Sequence, residues 1–73
     1  MNEKELKLLN QLAEKIKSRR LQLNLSQEAL ADKCGLDRTY ISLVERSKRN
    51  PSYLSLVKLC DGLEIDIKKL LGE

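Results

Sequence analysis

A short polar edge is the part of the sequence best suited to recognising a ligand. In the stretch QEALADKCGLDRTYISLVER, residues 27 to 46, Arg38, Thr39 and Ser42 fall on the helix side opposite Ile41 and Val44. An arginine can donate two parallel hydrogen bonds to a planar acceptor, and a hydroxyl group can both donate and accept a hydrogen bond. These residue types indicate recognition through hydrogen bonds rather than bond-making chemistry.

The sequence offers little to an enzyme. Its 73 residues contain no histidine, no paired-carboxylate constellation and no glycine-rich phosphate loop. Cys34 and Cys60 form no CxxC pair, so a zinc site lacks its usual ligands. We read both cysteines as small core residues, and we expect no catalysis, cofactor, metal or small-molecule ligand.

Basic charge is concentrated around the polar edge. Residues 15 to 49 hold nine Lys and Arg against four Asp and Glu, whereas the rest of the chain holds five against seven. A one-sided basic surface favours a polyanion such as nucleic acid, although a solvated helix face gives the same pattern.

Nothing in the sequence indicates a membrane or secretory protein. The N-terminus, MNEKELKLLN, is charged, unlike a signal peptide. No apolar run approaches the roughly 18 residues of a membrane span. We therefore expect a cytoplasmic, reduced protein with no membrane contact.

Apolar spacing predicts an all-α domain of five helices over residues 1–73, with a core of Leu, Ile, Val and Ala because Phe and Trp are absent. The predicted helices are Asn2 to Leu23, Gln27 to Cys34, Arg38 to Arg46, Tyr53 to Gly62, and a short one from Asp66. Ser26, Asp37 and Ser52 are the expected N-caps. The inward residues expected in the first and fourth helices are Leu6, Leu9, Leu12, Ala13, Ile16, Leu54, Val57 and Cys60, with Leu56 and Leu59 beside the last three.

Residues 27–46 have the pattern of two short helices joined by a tight turn. Gly35 can adopt positive φ without steric cost, and Ala31, one turn earlier, allows the helices to approach closely. Apolar contacts from both sides of the turn are expected from Leu30, Cys34, Leu36, Ile41 and Val44. The alternative is an unrelated helical hairpin.

Residues 16 to 65 resemble the helix-turn-helix domain of the lambda-repressor-like, or Xre, family of transcription regulators. The resemblance is carried by LSQEALADKCGLDRTYISLVERSKRNPSYLSLVKLCDGLEI, from Leu25 to Ile65. More narrowly, DRTYIS followed by ERSKRNPS is similar to the controller proteins of restriction-modification systems. The resemblance implies a homodimer that binds its own double-stranded DNA operator and regulates itself and a nearby endonuclease gene.

The resemblance also implies roles for individual residues. Gln27 contacts the DNA backbone at the start of the second helix, and Ser26 adds a phosphate contact; for both residues the alternative is that they only initiate the helix. Arg38, Thr39 and Ser42 read bases in the major groove. Further candidate contacts to phosphate or groove edge are Asp37, Arg46, Lys48, Arg49, Asn50 and Ser52, of which several could simply form a soluble turn.

Two residues keep alternatives open. Tyr40 could reach a base step or a phosphate, or pack against its own domain. Arg20 could hold a phosphate or pair with Glu45. The sequence also departs from the family at Asn24 and Ser47, where glycine is common, and at Arg19, where an apolar residue is usual.

Specific recognition by so small a domain generally needs two half-sites, so a C2 homodimer on a pseudo-palindrome is expected. Apolar residues crowd the C-terminal region, residues 60–72, and either pack against a second copy or close the monomer core: Leu63, Ile65, Ile67, Leu70 and Leu71. The rival interpretations are a phage-type repressor, an antitoxin or an adaptor with a vestigial motif. Glu28, Asp32 and Glu45 are candidates for an RNA polymerase contact, which nothing in their spacing proves.

Overall fold

The computed structural model describes residues 1–72, in which five α-helices and no β-strands occur. The helices are α1 (Glu3–Gln22), α2 (Gln27–Cys34), α3 (Arg38–Glu45), α4 (Tyr53–Leu63) and α5 (Ile67–Leu71). The all-α prediction is confirmed, and the predicted bounds are right to within about one residue. None of these helices combines the length and apolar character needed to cross a membrane.

Side-chain caps fix where three of the helices begin. Ser26, Asp37 and Ser52 each accept a backbone N–H from the first turn that follows, at 3.0, 2.8 and 3.1 Å. Each bond satisfies one of the amide groups that a helix start leaves without a partner. The predicted N-caps are therefore confirmed, and they determine where the polar edge of α3 begins.

The core is aliphatic and takes residues from every helix. Its completely enclosed side chains are Ile16, Leu30, Ile41, Val44, Leu59, Leu63 and Leu70. Two inward predictions were wrong: Leu6 is 45% exposed and Leu54 is 71% exposed. In α4 the buried face runs through Leu56, Leu59, Cys60 and Leu63, so Leu54 at its first turn points to solvent.

The turn between α2 and α3 forms as the glycine predicts. Gly35 has φ +68°, and the N–H of Leu36 donates to the Ala31 carbonyl at 3.0 Å. This left-handed residue followed by a backward bond is the Schellman arrangement that ends many helices. A second glycine, Gly62, is buried where a Cβ would overlap the Cys34 sulfur, so α4 can lie close against α2.

Among residues 1–72, three residues other than glycine also have positive φ. Asn24 and Ser47, at φ 58° and 60°, stand where the family commonly has glycine. Glu64, at φ 54°, was not predicted. Two residues distant in the sequence contact it: its carboxylate accepts from Lys33 Nζ at 2.8 Å, and its carbonyl accepts from Arg19 at 3.1 Å.

Candidate nucleic-acid interface

The outer edge of α3 is the best candidate for contact with DNA. Ile41 and Val44 are buried at 0% and 1% exposure, which fixes the rotation of this two-turn helix. Arg38 and Thr39 are consequently exposed in its first turn, and Ser42 is half-buried one turn later. The two ion pairs within residues 1–72 do not involve Arg38, so its guanidinium can bind an external acceptor.

A buried ion pair holds the other end of α3 against α1. The Arg20 guanidinium donates to both Glu45 carboxylate oxygens, at 2.7 and 2.9 Å, and to the Leu25 carbonyl at 2.8 Å. The hydrogen bond to Glu45 raises the pKa of Arg20, so the guanidinium stays charged despite its burial. Of the two alternatives for Arg20, the structure shows the pairing with Glu45. Arg20 is only 7% exposed, so its guanidinium stabilises the packing of α1 against α3 and is not available to a phosphate.

The same carboxylate orients Gln27. Its amide nitrogen donates to a Glu45 oxygen at 3.1 Å, which uses one of the two N–H hydrogens. The second hydrogen can still reach a phosphate. Ser26 accepts the Ala29 N–H as the N-cap, so its own O–H also remains able to donate at the positive end of α2.

The structure packs Tyr40 against its own domain. The side chain is half-buried beside the core, and its hydroxyl accepts the Ser52 N–H at 3.4 Å. The Arg49 guanidinium lies 5.5 Å from the ring centroid, within the range of a cation–π contact. Tyr40 thus joins α3 to the loop that follows it.

The loop between α3 and α4 carries most of the remaining predicted contacts. Lys48, Arg49 and Asn50 are exposed. Arg46 donates to the Ser42 hydroxyl at 3.3 Å, which keeps these two polar groups together. Ser52 is occupied as the cap of α4, and Asp37 as the cap of α3. Positioning a helix is the role that the structure gives to the last two residues.

The predicted dimer residues divide into three groups. Leu63 and Leu70 are 0% and 1% exposed within one copy, so of the two alternatives given for them the structure shows that their side chains close the monomer core. Ile65 and Ile67 are partly buried against that core. Leu71 alone is largely exposed, at 54%.

The sequence interpretation missed several residues. Arg19 donates to the carbonyls of Leu63 and Glu64 at 2.9 and 3.1 Å, capping the C-terminus of α4. The only sequence feature that pointed to this role was a charged residue at a position where the family usually has an apolar one. Tyr53 and Leu54 at the start of α4 are 72% and 71% exposed. Tyr53 was expected only to begin the helix and Leu54 to lie in the core, so their exposed apolar surface was not predicted.

Similarity to known proteins agrees with this geometry. A family model described as helix-turn-helix matches residues 16–70, which is most of the chain. The chain belongs to this helix-turn-helix family. Its resemblance to the Xre-type regulators is thereby confirmed.

Several relatives of this helix-turn-helix chain are controller proteins. It is 48% identical over 60 residues to the control protein C.SmaI of Serratia marcescens, covering 82% of this chain and 71% of that one. It is 38% identical to the control protein C.MunI of Mycoplasma sp., covering 100% of this chain and 95% of the other. The crystal structure of the restriction-modification controller protein C.AhdI from Aeromonas hydrophila is 39% identical, with TM-score 0.82, covering 85% of this chain and 94% of that one.

These relatives place the chain among transcription regulators. A helix-turn-helix domain with such neighbours is a DNA-binding regulator and not an enzyme. The exposed start of α3, the α2 N-terminus and the basic loop are the parts of the surface suited to that role.

Proposed function

We propose that this chain is the controller protein of a restriction-modification system. It binds a pseudo-palindromic operator as a homodimer and regulates its own gene and a neighbouring endonuclease gene. The observation that carries the proposal is the outward edge of α3, fixed by two buried residues on its other side. The similarity of the chain to controller proteins, one of which is matched over 95% of its length, supports the assignment to a restriction-modification system.

Base recognition is assigned to the first turns of α3. Arg38 has the planar fork that fits guanine O6 and N7 in the major groove. Thr39 can contact a thymine methyl group or hydrogen-bond a base or phosphate, and Ser42 stands one turn further along. Tyr40 positions the recognition helix and the loop through Ser52 and Arg49.

Phosphate contacts are assigned to two sites flanking this edge. At the start of α2, Gln27 and Ser26 present donors beside the free N–H groups of the helix. In the loop, the exposed cations Lys48 and Arg49 are the main candidates, with Arg46 and Asn50 beside them. These contacts supply affinity and register but carry no sequence information.

The homodimer requires apolar surface that one copy leaves uncovered. Tyr53, Leu54 and Leu71 provide it, because all three are more than half exposed. Two such domains bound through one twofold axis would place their recognition helices about one turn of DNA apart. Where the dimer activates transcription, Glu28 and Asp32 are the exposed acidic residues able to meet RNA polymerase. Glu45 is occupied by Arg20.

The sharpest test compares two basic residues with different assigned roles. A binding site is first selected from random duplexes with the wild-type protein. Arg38→Ala should then weaken binding by about 1–3 kcal/mol and relax the preference at a single base pair of each half-site. Lys48→Ala should weaken all duplexes to a similar degree and reduce the salt dependence by about one charge. Unchanged base preference in Arg38→Ala would refute the assignment.

A phage-type repressor is the second candidate, because one relative is the immunity repressor protein of Bacillus phage phi105. It is 34% identical over 85% of this chain, but the match covers only 43% of that protein. The genes beside this one decide between the candidates. An adjacent endonuclease and methyltransferase support the controller, whereas a lysogeny region supports the repressor.

A further inference from the structure

An apolar groove separates the first half of α1 from α5. Its volume is about 530 Å³, and Leu8, Leu9, Leu12, Leu70 and Leu71 are among its lining residues. Leu8 and Leu71 are 56% and 54% exposed, so its mouth is apolar as well. The α1 wall of the groove lies before residue 16, where the family match begins. The helix-turn-helix motif itself therefore does not account for it.

A projecting apolar pair lies close to the same groove. Asn50 lines the groove, and α4 begins three residues later with Tyr53 and Leu54. Three residues of chain span at most about 11 Å and four about 14 Å, so neither Tyr53 nor Leu54 can be far from the groove. Each copy thus carries a receiving groove and, a few residues along the chain, an exposed apolar pair, the two parts that a twofold-symmetric contact requires of each copy.

The charges around the groove favour a second copy over DNA. Glu5 and Lys15 both line it, so its rim carries both signs rather than the excess of positive charge that a nucleic acid attracts. In a twofold pair, each sign on one copy can face the opposite sign on the other. An apolar centre with a mixed polar rim is the usual composition of a homodimer interface.

We propose that this groove receives Tyr53 and Leu54 of a second copy of the chain, so that the first half of α1 forms part of the dimer interface. The proposal rests on the homodimer proposed above and extends it to residues outside the helix-turn-helix match. It assigns Leu8 a role in assembly and none in the fold of one copy.

Two leucines on the same helix give a matched experiment. Leu8 and Leu21 are 56% and 54% exposed, yet only Leu8 lines the groove. Sedimentation equilibrium should show that Leu8→Asp raises the dimer dissociation constant at least tenfold, while Leu21→Asp changes it less than twofold. Circular dichroism checks that both variants keep wild-type helix content. Dissociation constants within threefold of each other would overturn the proposal.

Cross-linking tests the contact without adding a charge. Leu8→Cys protein is mixed with Leu54→Cys protein and treated with a short thiol-reactive cross-linker; a mixture of Leu21→Cys and Leu54→Cys is the control. The native Cys34 and Cys60 are buried, which raises the pKa of both thiols and limits their reaction. Covalent heterodimer should form several-fold faster in the first mixture. Equal rates would contradict the proposed packing.

The outcomes separate this proposal from the proposed function. A wild-type chain that stays monomeric with and without operator DNA would remove the homodimer and the groove contact together. If Leu54→Asp abolishes the dimer but Leu8→Asp does not, the homodimer stands and the groove contact fails.

Discussion

The two halves of α1 differ in what holds them. From Ile16 to Gln22 the helix sends Arg19 and Arg20 to the ends of α4 and α3 through hydrogen bonds of 2.7 to 3.1 Å. From Glu3 to Lys15 it buries Leu9 and Ala13, and its exposed leucines contact solvent. Residues 16–22, which lie inside the helix-turn-helix match, are fixed by directional hydrogen bonds. Residues 3–15 leave apolar side chains exposed.

The difference reflects what each half must position. DNA recognition depends on the orientation of α3, and a bidentate bond to a buried carboxylate fixes distance and direction together. Burying two charges costs desolvation energy, so such a pair is a better device for specificity than for stability. Docking onto a second copy needs no such precision within one copy, because apolar contacts adapt when the interface forms.

The largest effect should come from breaking the buried pair. Arg20→Ala leaves the Glu45 carboxylate enclosed with only the Gln27 amide as a donor, because the two side chains are 9% and 2% exposed in the native pair. We expect the free energy of unfolding, measured by urea denaturation at neutral pH, to fall by about 3–5 kcal/mol. A double variant, Arg20→Met/Glu45→Leu, should recover most of that loss.

The chain contains its own control for this experiment. Lys33 and Glu64 pair at 2.8 Å, with side chains 38% and 63% exposed. Because water screens an exposed pair, Lys33→Ala should leave the free energy of unfolding close to the wild-type value. If Arg20→Ala were equally harmless, the Arg20–Glu45 pair could not be what fixes residues 16–22 of α1.

Arg19 should have an intermediate effect. Arg19→Ala removes two hydrogen bonds to the Leu63 and Glu64 carbonyls, which lie at the end of α4 where no helical N–H can reach them. Hydrogen bonds from a charged donor contribute about 1.5–3 kcal/mol, and partial exposure of this site favours the lower figure. Urea denaturation should show a loss of about 1–2 kcal/mol. Lys17→Ala, at an exposed position two residues away, should lower the free energy of unfolding far less. Equal losses for the two variants would show that Arg19 stabilises the domain through its charge on α1 and not by capping α4.

Local signals in the sequence accounted for the helices and the turn. Ser26, Asp37 and Ser52 cap the helices that they were predicted to cap, because an N-cap bond joins residues two or three apart. Gly35 ends α2 for an equally local reason, its positive φ. The orientation of the α3 edge likewise followed from the spacing of Ile41 and Val44.

What the sequence did not predict depends on contacts between distant residues. Arg19 and Glu64 are 45 positions apart. No pattern in the residues next to either one predicts their hydrogen bond or the positive φ of Glu64. Leu54 was expected inside because apolar spacing in α4 fits more than one buried face, and in the folded chain the buried face is the one through Leu56 and Leu59. For Leu63 and Leu70 the dimer interface and the monomer core both stayed open, because spacing alone does not separate a core stripe from an interface stripe.

The smallest effect should come from the cap of α1. Asn2 Oδ1 accepts the Glu5 N–H at 2.8 Å and the Asn2 N–H donates to the Glu5 carboxylate at 3.1 Å, a reciprocal capping box. Removing such a cap by Asn2→Ala costs the helix about 0.5–2 kcal/mol. Because the first half of α1 has few buried contacts, we expect this cost to appear as local opening, with less than about 0.5 kcal/mol lost from global unfolding. Amide hydrogen exchange should accelerate in the first two turns of α1 and stay unchanged in α2 and α3. Faster exchange throughout the domain would mean that both halves of α1 unfold as one unit and do not differ in local stability.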